Sequence, residues 1–229
     1  LPPRRRAPVN RMRHKRRPEL EFSGVQPPIT EPLGALRPLI ITEVSTSAGG
    51  SQRPLLESLL HQHHYLSYRS TVGENLQYLV CDGQSHPLGC LVFGAAAWQC
   101  ADRDRSIGWD PCHRAQNLHL LANNTRFLIL PGIRVAQLAS SVLSQVSRRL
   151  SRDWQSKYGH PIYLLESFVE RERFTGACYR AANWVCVGQT KGRTRQDRPD
   201  GTWHQVPVKD IYLYPLHRGF RHRWQGQLR

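Results

Sequence analysis

Apolar and polar positions along the chain change period several times, and each change marks an element. LRPLIITEV, residues 36–44, is short and β-branched, which predicts a strand. In PLLESLLHQHHYL, 54–66, apolar side chains recur at Leu55, Leu56, Leu59 and Leu60, with His63 and His64 one turn on. That is helical spacing, with Pro54 tolerated in the first turn. NLQYLVCD (75–82) and PLGCLVFGAAAW (87–98) alternate or run apolar around Gly83, predicting a hairpin whose second strand is well buried. Residues 112–122 predict a helix, and RFLIL (126–130) a buried strand ended by Pro131 and Gly132. The longest amphipathic stripe lies in 134–157: Val135, Leu138, Ala139, Val142, Leu143, Val146 and Leu150 share a face that excludes Arg148, Arg149 and Arg152. IYLLE (162–166) then predicts a strand, CYRAA a short helix, WVCVG a strand and DIYLYPL a half-buried strand. Alternating strands and helices of this kind predict an α/β sheet with helices on its faces.

Composition sets the boundaries. A chain of 229 residues can bury one substantial core with tails. Residues 1–35, rich in Pro and Arg, predict a disordered basic arm, 36–216 the folded α/β domain, and 217–229 a basic tail. No apolar run approaches the roughly 18 residues that cross a bilayer, so no membrane partner is expected and the cytoplasm is the expected location. The chain starts at Leu1 without an apolar leader and reads as an excerpt. The net charge of +15 is unevenly spread. Residues 1–17 carry +8 and residues 191–229 carry +6, leaving +1 for everything between. Two basic segments on a neutral body suit a phosphate backbone, because each neutralised phosphate releases condensed counterions. DNA is therefore the expected partner, gripped by Arg4, Arg5 and Arg6 in the arm and by Lys191, Arg193, Arg195, Arg198 and Lys209 near the far end.

Candidate chemistry is sparser. Glu166 ends the predicted strand IYLLE, where α/β sheets present functional groups, and Arg126 begins RFLIL. A carboxylate beside a guanidinium can serve as base or metal ligand, or as a structural ion pair. Asp197 and Lys209 are further members only if the fold brings them near. His61 and His64 share a helix face, but no CxxC or HExxH pattern supplies further ligands, so no metal site is assigned and the cofactor stays open, a divalent cation at Glu166 included. The glycines of GQTKGRTRQDRPDG lack the spacing of a Walker loop. Trp203, Tyr212 and Tyr214 are candidates to stack on bases, against a half-buried strand for the last two. Cys81, Cys90, Cys178 and Cys186 sit among apolar or small neighbours and are expected to be buried reduced thiols.

The order hairpin, strand, long helix, strand, short helix, strand resembles that of the GNAT-type N-acetyltransferases. YRAANW at 179–184 is similar to an aromatic-terminated segment of that family in which the tyrosine acts as general acid, a role the resemblance passes to Tyr179. The family's pyrophosphate loop corresponds to Arg134, Val135, Ala136, Gln137, Leu138 and Ala139. Its central glycine is Gln137 here, and a side chain there obstructs the helix amides, so coenzyme A is not expected. A closer resemblance, to the DruA-like family of anti-phage defence and transposase proteins, covers most of 54–216. It is carried by HHYLSY, LGCLVFGAAAW, DRDRSIGW, NNTRFLILP, YLLESFVE, RFTGACYRAANWVCVGQTKGRTRQDR and VKDIYLYPL. It implies work on DNA in defence or transposition alongside other components of those systems. Three readings follow: DNA binding, strand cleavage or joining with Glu166, Arg126 and Tyr179, and acyl transfer.

Overall fold

The computed structural model describes residues 28–68, 70–192, 206–217 and 219–220. Seven strands form one mixed sheet in the order β1-β2-β3-β4-β5-β7-β6. They are β1 Ile40–Glu43, β2 Asn75–Cys81, β3 Pro87–Ala95, β4 Leu121–Ile129, β5 Leu164–Glu170, β6 Val185–Gln189 and β7 Lys209–Pro215. Every neighbouring pair is antiparallel except β4 and β5, which run parallel and are joined by the crossover helix α4, Leu138–Tyr158. The expected α/β class with a mixed sheet between helices is what the chain forms, in the element order the acetyltransferase resemblance implied.

Side-chain alternation divides the core in two. Leu76, Tyr78 and Val80 of β2 pack with Val142, Leu143, Val146, Leu150 and Trp154 of α4, while Leu79 and Cys81 meet Leu56, Leu59 and Leu60 of α1, Arg53–His63, on the opposite face. The α1 face continues over β4, β5 and β7, where Ile107 and Trp109 lie on Leu121, Leu164 and Leu213. Ile107 ends α2, Ala101–Ile107, which is followed by α3, Pro111–Asn117. Gly159, at φ 80°, closes α4 in the left-handed conformation. A last short helix, α5 (Ala177–Ala181), leads into β6.

The strands differ from expectation where polar residues interrupt the pattern. The helix expected over 112–122 stops at Asn117, and β4 starts at Leu121 rather than at Arg126. Asn123, Asn124 and Thr125 look like turn residues, but pairing with β3 holds them extended, and the Asn124 amide donates to the carbonyls of Val92 (3.2 Å) and Arg126 (3.1 Å). β5 begins two residues later than IYLLE and runs to Glu170, which puts Glu166 in mid-strand instead of at its end. Helix α2 lacks an apolar stripe and gave no sequence signal. Asp102 and Asp104 in its first turn favour its dipole, and Gly108 at φ 88° stops it. Among the cysteines, all six unpaired, Cys81, Cys90 and Cys100 are buried, whereas Cys186 is exposed on the outer strand β6 and Cys178 is half-buried.

Candidate functional site

The parallel junction of β4 and β5 is short. Only Leu121, Ala122 and Asn123 pair across it, with Leu164, Leu165 and Glu166. Beyond that point the strands part, and the bulge responsible is visible in the β3–β4 register, where Val92 faces Arg126 but Phe93 faces Asn124, leaving Thr125 as the extra residue. An extra residue bends the strand that carries it. The parting is pinned by side chains: the Tyr179 hydroxyl donates to Asn124 Oδ1 (2.7 Å), and the Ser167 hydroxyl donates to the Tyr179 oxygen (3.0 Å). Asn124 and Ser167 are the residues directly after the last pair, so this network forms the vertex of a cleft of about 1020 Å³.

Most of the cleft wall is apolar, including Phe127, Ile129, Val169, Phe174 and Pro207. The charged exceptions are Arg126, Lys209 and Glu170. Arg126 Nε donates to Ser67 O (3.1 Å) and its Nη1 to Thr125 O (2.7 Å); neither bond uses Nη2, and no carboxylate pairs with it among the described residues. Burial lowers its pKa, opposed by Tyr65 and Tyr68, yet a guanidinium stays protonated. His64, also on the wall, is pulled down to about 4 by burial and by Arg126. Its Nδ1 accepts from Leu66 N–H (3.2 Å), as a neutral ring does. Glu170 is the one acid among the lining residues, and Arg173 pairs with it at 3.1 Å. The cleft is thus an apolar space with an uncompensated cation inside.

The expected site residues separate. Arg126, Tyr179 and Lys209 all line the cleft. Glu166 does not pair with Arg126, the partner sequence order suggested; its guanidinium is that of Arg103 in α2. Glu166 Oε2 accepts from Arg103 Nη1 (2.9 Å) and Oε1 from Ala97 N–H (2.7 Å), with both side chains fully buried. Burial raises the Glu166 pKa against the pull of Arg103. Asp104 extends the network by accepting from Arg103 Nε (2.9 Å) and Arg114 Nη1 (3.1 Å). Tyr179, buried at the cleft vertex, has its pKa raised by burial, and burial likewise raises the Cys178 thiol. Tyr212 and Tyr214 are not free to stack on bases: they stack on Tyr179 (5.4 Å) and Trp184 (5.6 Å) in the core. His61 and His64 do not form a metal site with other side chains, since no group of three or more metal-ligating residues occurs among the described residues.

Of the basic positions, Lys191 is exposed, while Arg4, Arg5, Arg6, Arg193, Arg195 and Arg198 lie outside the described residues, as do Asp197 and Trp203. Strand register nevertheless fixes where those segments join the body. Ile29 is bonded to the turn after β4, its N–H donating to Gly132 O (2.9 Å) and its carbonyl accepting from Arg134 N–H (2.8 Å). The segment after β6 departs at Gly192 and returns at Val206, whose N–H donates to Gly192 O (3.0 Å). Thr190, Val206, Pro207 and Lys209 line the cleft. Both junctions therefore sit at the end of the sheet where the cleft opens. β7 ends at the other end of the strands: it runs from Lys209 opposite Glu170 to Pro215 opposite Leu164, and Leu216 N–H donates to Tyr163 O (2.9 Å).

Sequence reasoning missed two contributors. Tyr65, after α1, and Phe174, after β5, meet across the cleft mouth with centroids 5.3 Å apart, and the Arg173 guanidinium lies over Tyr65 at 5.1 Å. Each stands in a sequence-adjacent basic or histidine-rich stretch, HHYLSY and RERFTG, and that juxtaposition was the available signal.

A family model described as Druantia protein DruA matches residues 3–218. No curated protein matches the chain. Among solved structures the chain is similar to the dodecameric spermidine N-acetyltransferase from Vibrio cholerae in an intermediate state, at 9% identity and TM-score 0.49, over 78% of this chain and 94% of that one. It is also similar to the V. cholerae enzyme in complex with CoA and spermine, at 10% identity and TM-score 0.47, over 76% and 92% of the two chains. No helix among the described residues is long and apolar enough to cross a membrane.

Proposed function

Since this chain belongs to the DruA family, we propose that it is a DNA-binding protein of prokaryotic anti-phage defence or transposition, acting in the cytoplasm with other components of those systems. One observation carries the reading: the N-terminal arm, at Ile29, and the segment between Gly192 and Val206 both join the described body where the cleft opens, and Arg126 in the cleft has no carboxylate partner among the described residues. Basic segments flanking an anion-accepting opening form a footprint for a phosphate backbone. Titration of fluorescent DNA tests it. The association constant should fall linearly with salt on logarithmic axes, by about 0.9 per phosphate contacted. Affinity indifferent to salt, or no binding at low salt, overturns the proposal.

Binding is preferred to strand cleavage because both oxygens of Glu166 are already taken, by Arg103 and the Ala97 amide. It is preferred to acyl transfer because the turn before α4 is engaged by Ile29 and carries Gln137. Acyl transfer stands as the second reading on one observation, the Tyr179 hydroxyl at the vertex of a cleft between parallel strands.

A further inference from the structure

We propose that the cleft takes an unstacked nucleotide from a single DNA strand, with its base against Tyr65 and Phe174 and its phosphate toward Arg126. The inference rests on the DNA-binding reading and adds the strand state and the residues that recognise it. Tyr65 is 37% exposed and Phe174 46% exposed, an unusual surplus of ring surface at one opening. They arrive from opposite walls, one after α1 and the other after β5, so their contact spans the mouth instead of filling the core.

Ring faces at a cleft mouth attract flat, apolar groups, and an adjoining cation selects those that carry negative charge. Arg126 supplies that charge without a carboxylate competitor, since the one acid on the wall, Glu170, is held by Arg173. His64, neutral at physiological pH, adds no second cation but offers a further ring 4.9 Å from Tyr65. A nucleotide combines the flat apolar face and the anion in one unit. A duplex keeps its base faces internal, so only a single strand or an extruded base presents them. The volume of about 1020 Å³ exceeds what one base needs and accommodates the sugar-phosphate on either side.

The test compares a fluorescent 15-nucleotide single strand with the corresponding duplex, using the full chain and the variants Tyr65→Ala, Phe174→Ala and Arg126→Ala. Each variant should weaken single-strand binding on the order of tenfold, in keeping with the loss of one base–aromatic contact or one phosphate contact, and the two ring variants should leave duplex binding unchanged. Tyr65→Phe keeps the ring and should bind as the parent does, which separates stacking from a folding defect. A strand carrying 5-iododeoxyuridine should crosslink under ultraviolet light to Tyr65 or Phe174. If DNA binds but the ring variants leave single-strand affinity intact, or weaken both forms equally, this inference fails and DNA binding stands. If neither form binds, the parent reading has failed.

Discussion

At the scale of residues, charge burial decides most of what happens. Arg103 and Glu166 have no exposed surface, and a half-broken buried pair leaves one charge uncompensated. Glu166→Gln is expected to lower unfolding free energy by about 3 kcal/mol, measured by urea denaturation, whereas Arg103→Met combined with Glu166→Leu should lose less than that single change. His64 gives a pH signature of the opposite kind from a histidine held in a salt bridge. Its folded pKa of about 4 lies below the ordinary 6.5, so the folded state refuses a proton that the unfolded chain accepts. The stability it contributes is fully present above pH 6.5 and is lost as pH falls toward 4. The His64 ring should titrate near pH 4 by NMR, and Arg126→Ala should move that midpoint upward. Glu166 stood out in the sequence as the carboxylate closing IYLLE, but its partner did not, because Arg103 reaches it from a helix with no apolar stripe to announce it. Arg126 was named only as the suggested partner of Glu166, and its place on the cleft wall came from the β3–β4 register.

Among the elements, α4 was the most legible, since one continuous stripe from Leu138 to Leu150 has a single solution, burial on the sheet. β4 was the least, because Asn123, Asn124 and Thr125 are held by β3 rather than by their own preference for strands. The vertex network of Asn124, Ser167 and Tyr179 was invisible for a related reason: its members come from three elements far apart in sequence. The turn into α4 holds a residue in an uncommon conformation: Gln137 has a φ of 62°, which glycine adopts freely and other residues rarely do. Gln137→Gly should relieve strain and raise stability by up to about 1 kcal/mol in thermal denaturation, after the entropy glycine adds to the unfolded chain. Calorimetry with acetyl coenzyme A should give no heat with the parent chain, since Ile29 also bonds to that turn; saturable heat would put acyl transfer ahead of DNA binding.

For the whole molecule, the uneven charge was plain from the sequence, but its placement was not. The junctions at Ile29 and at Gly192 and Val206 lie at one end of the strands, whereas the chain leaves β7 at the other. Neither direction can be inferred until strand register is known, because each strand added or reversed exchanges the two ends. In the salt titration, replacing Arg4, Arg5 and Arg6 by Ala should reduce the slope, as should replacing Arg193, Arg195 and Arg198, by up to about 0.9 per lost contact. Replacing Arg221 and Arg223 should change it least. The three-residue seam between β4 and β5 has its own consequence. It divides the sheet into a four-stranded leaf and a three-stranded leaf that meet along a spine scarcely longer than one turn of helix. Backbone pairing therefore does little to join the leaves, and the bond between them falls to the single apolar core beneath α4 and α5, which draws side chains from β2, β3, β5 and β7 alike.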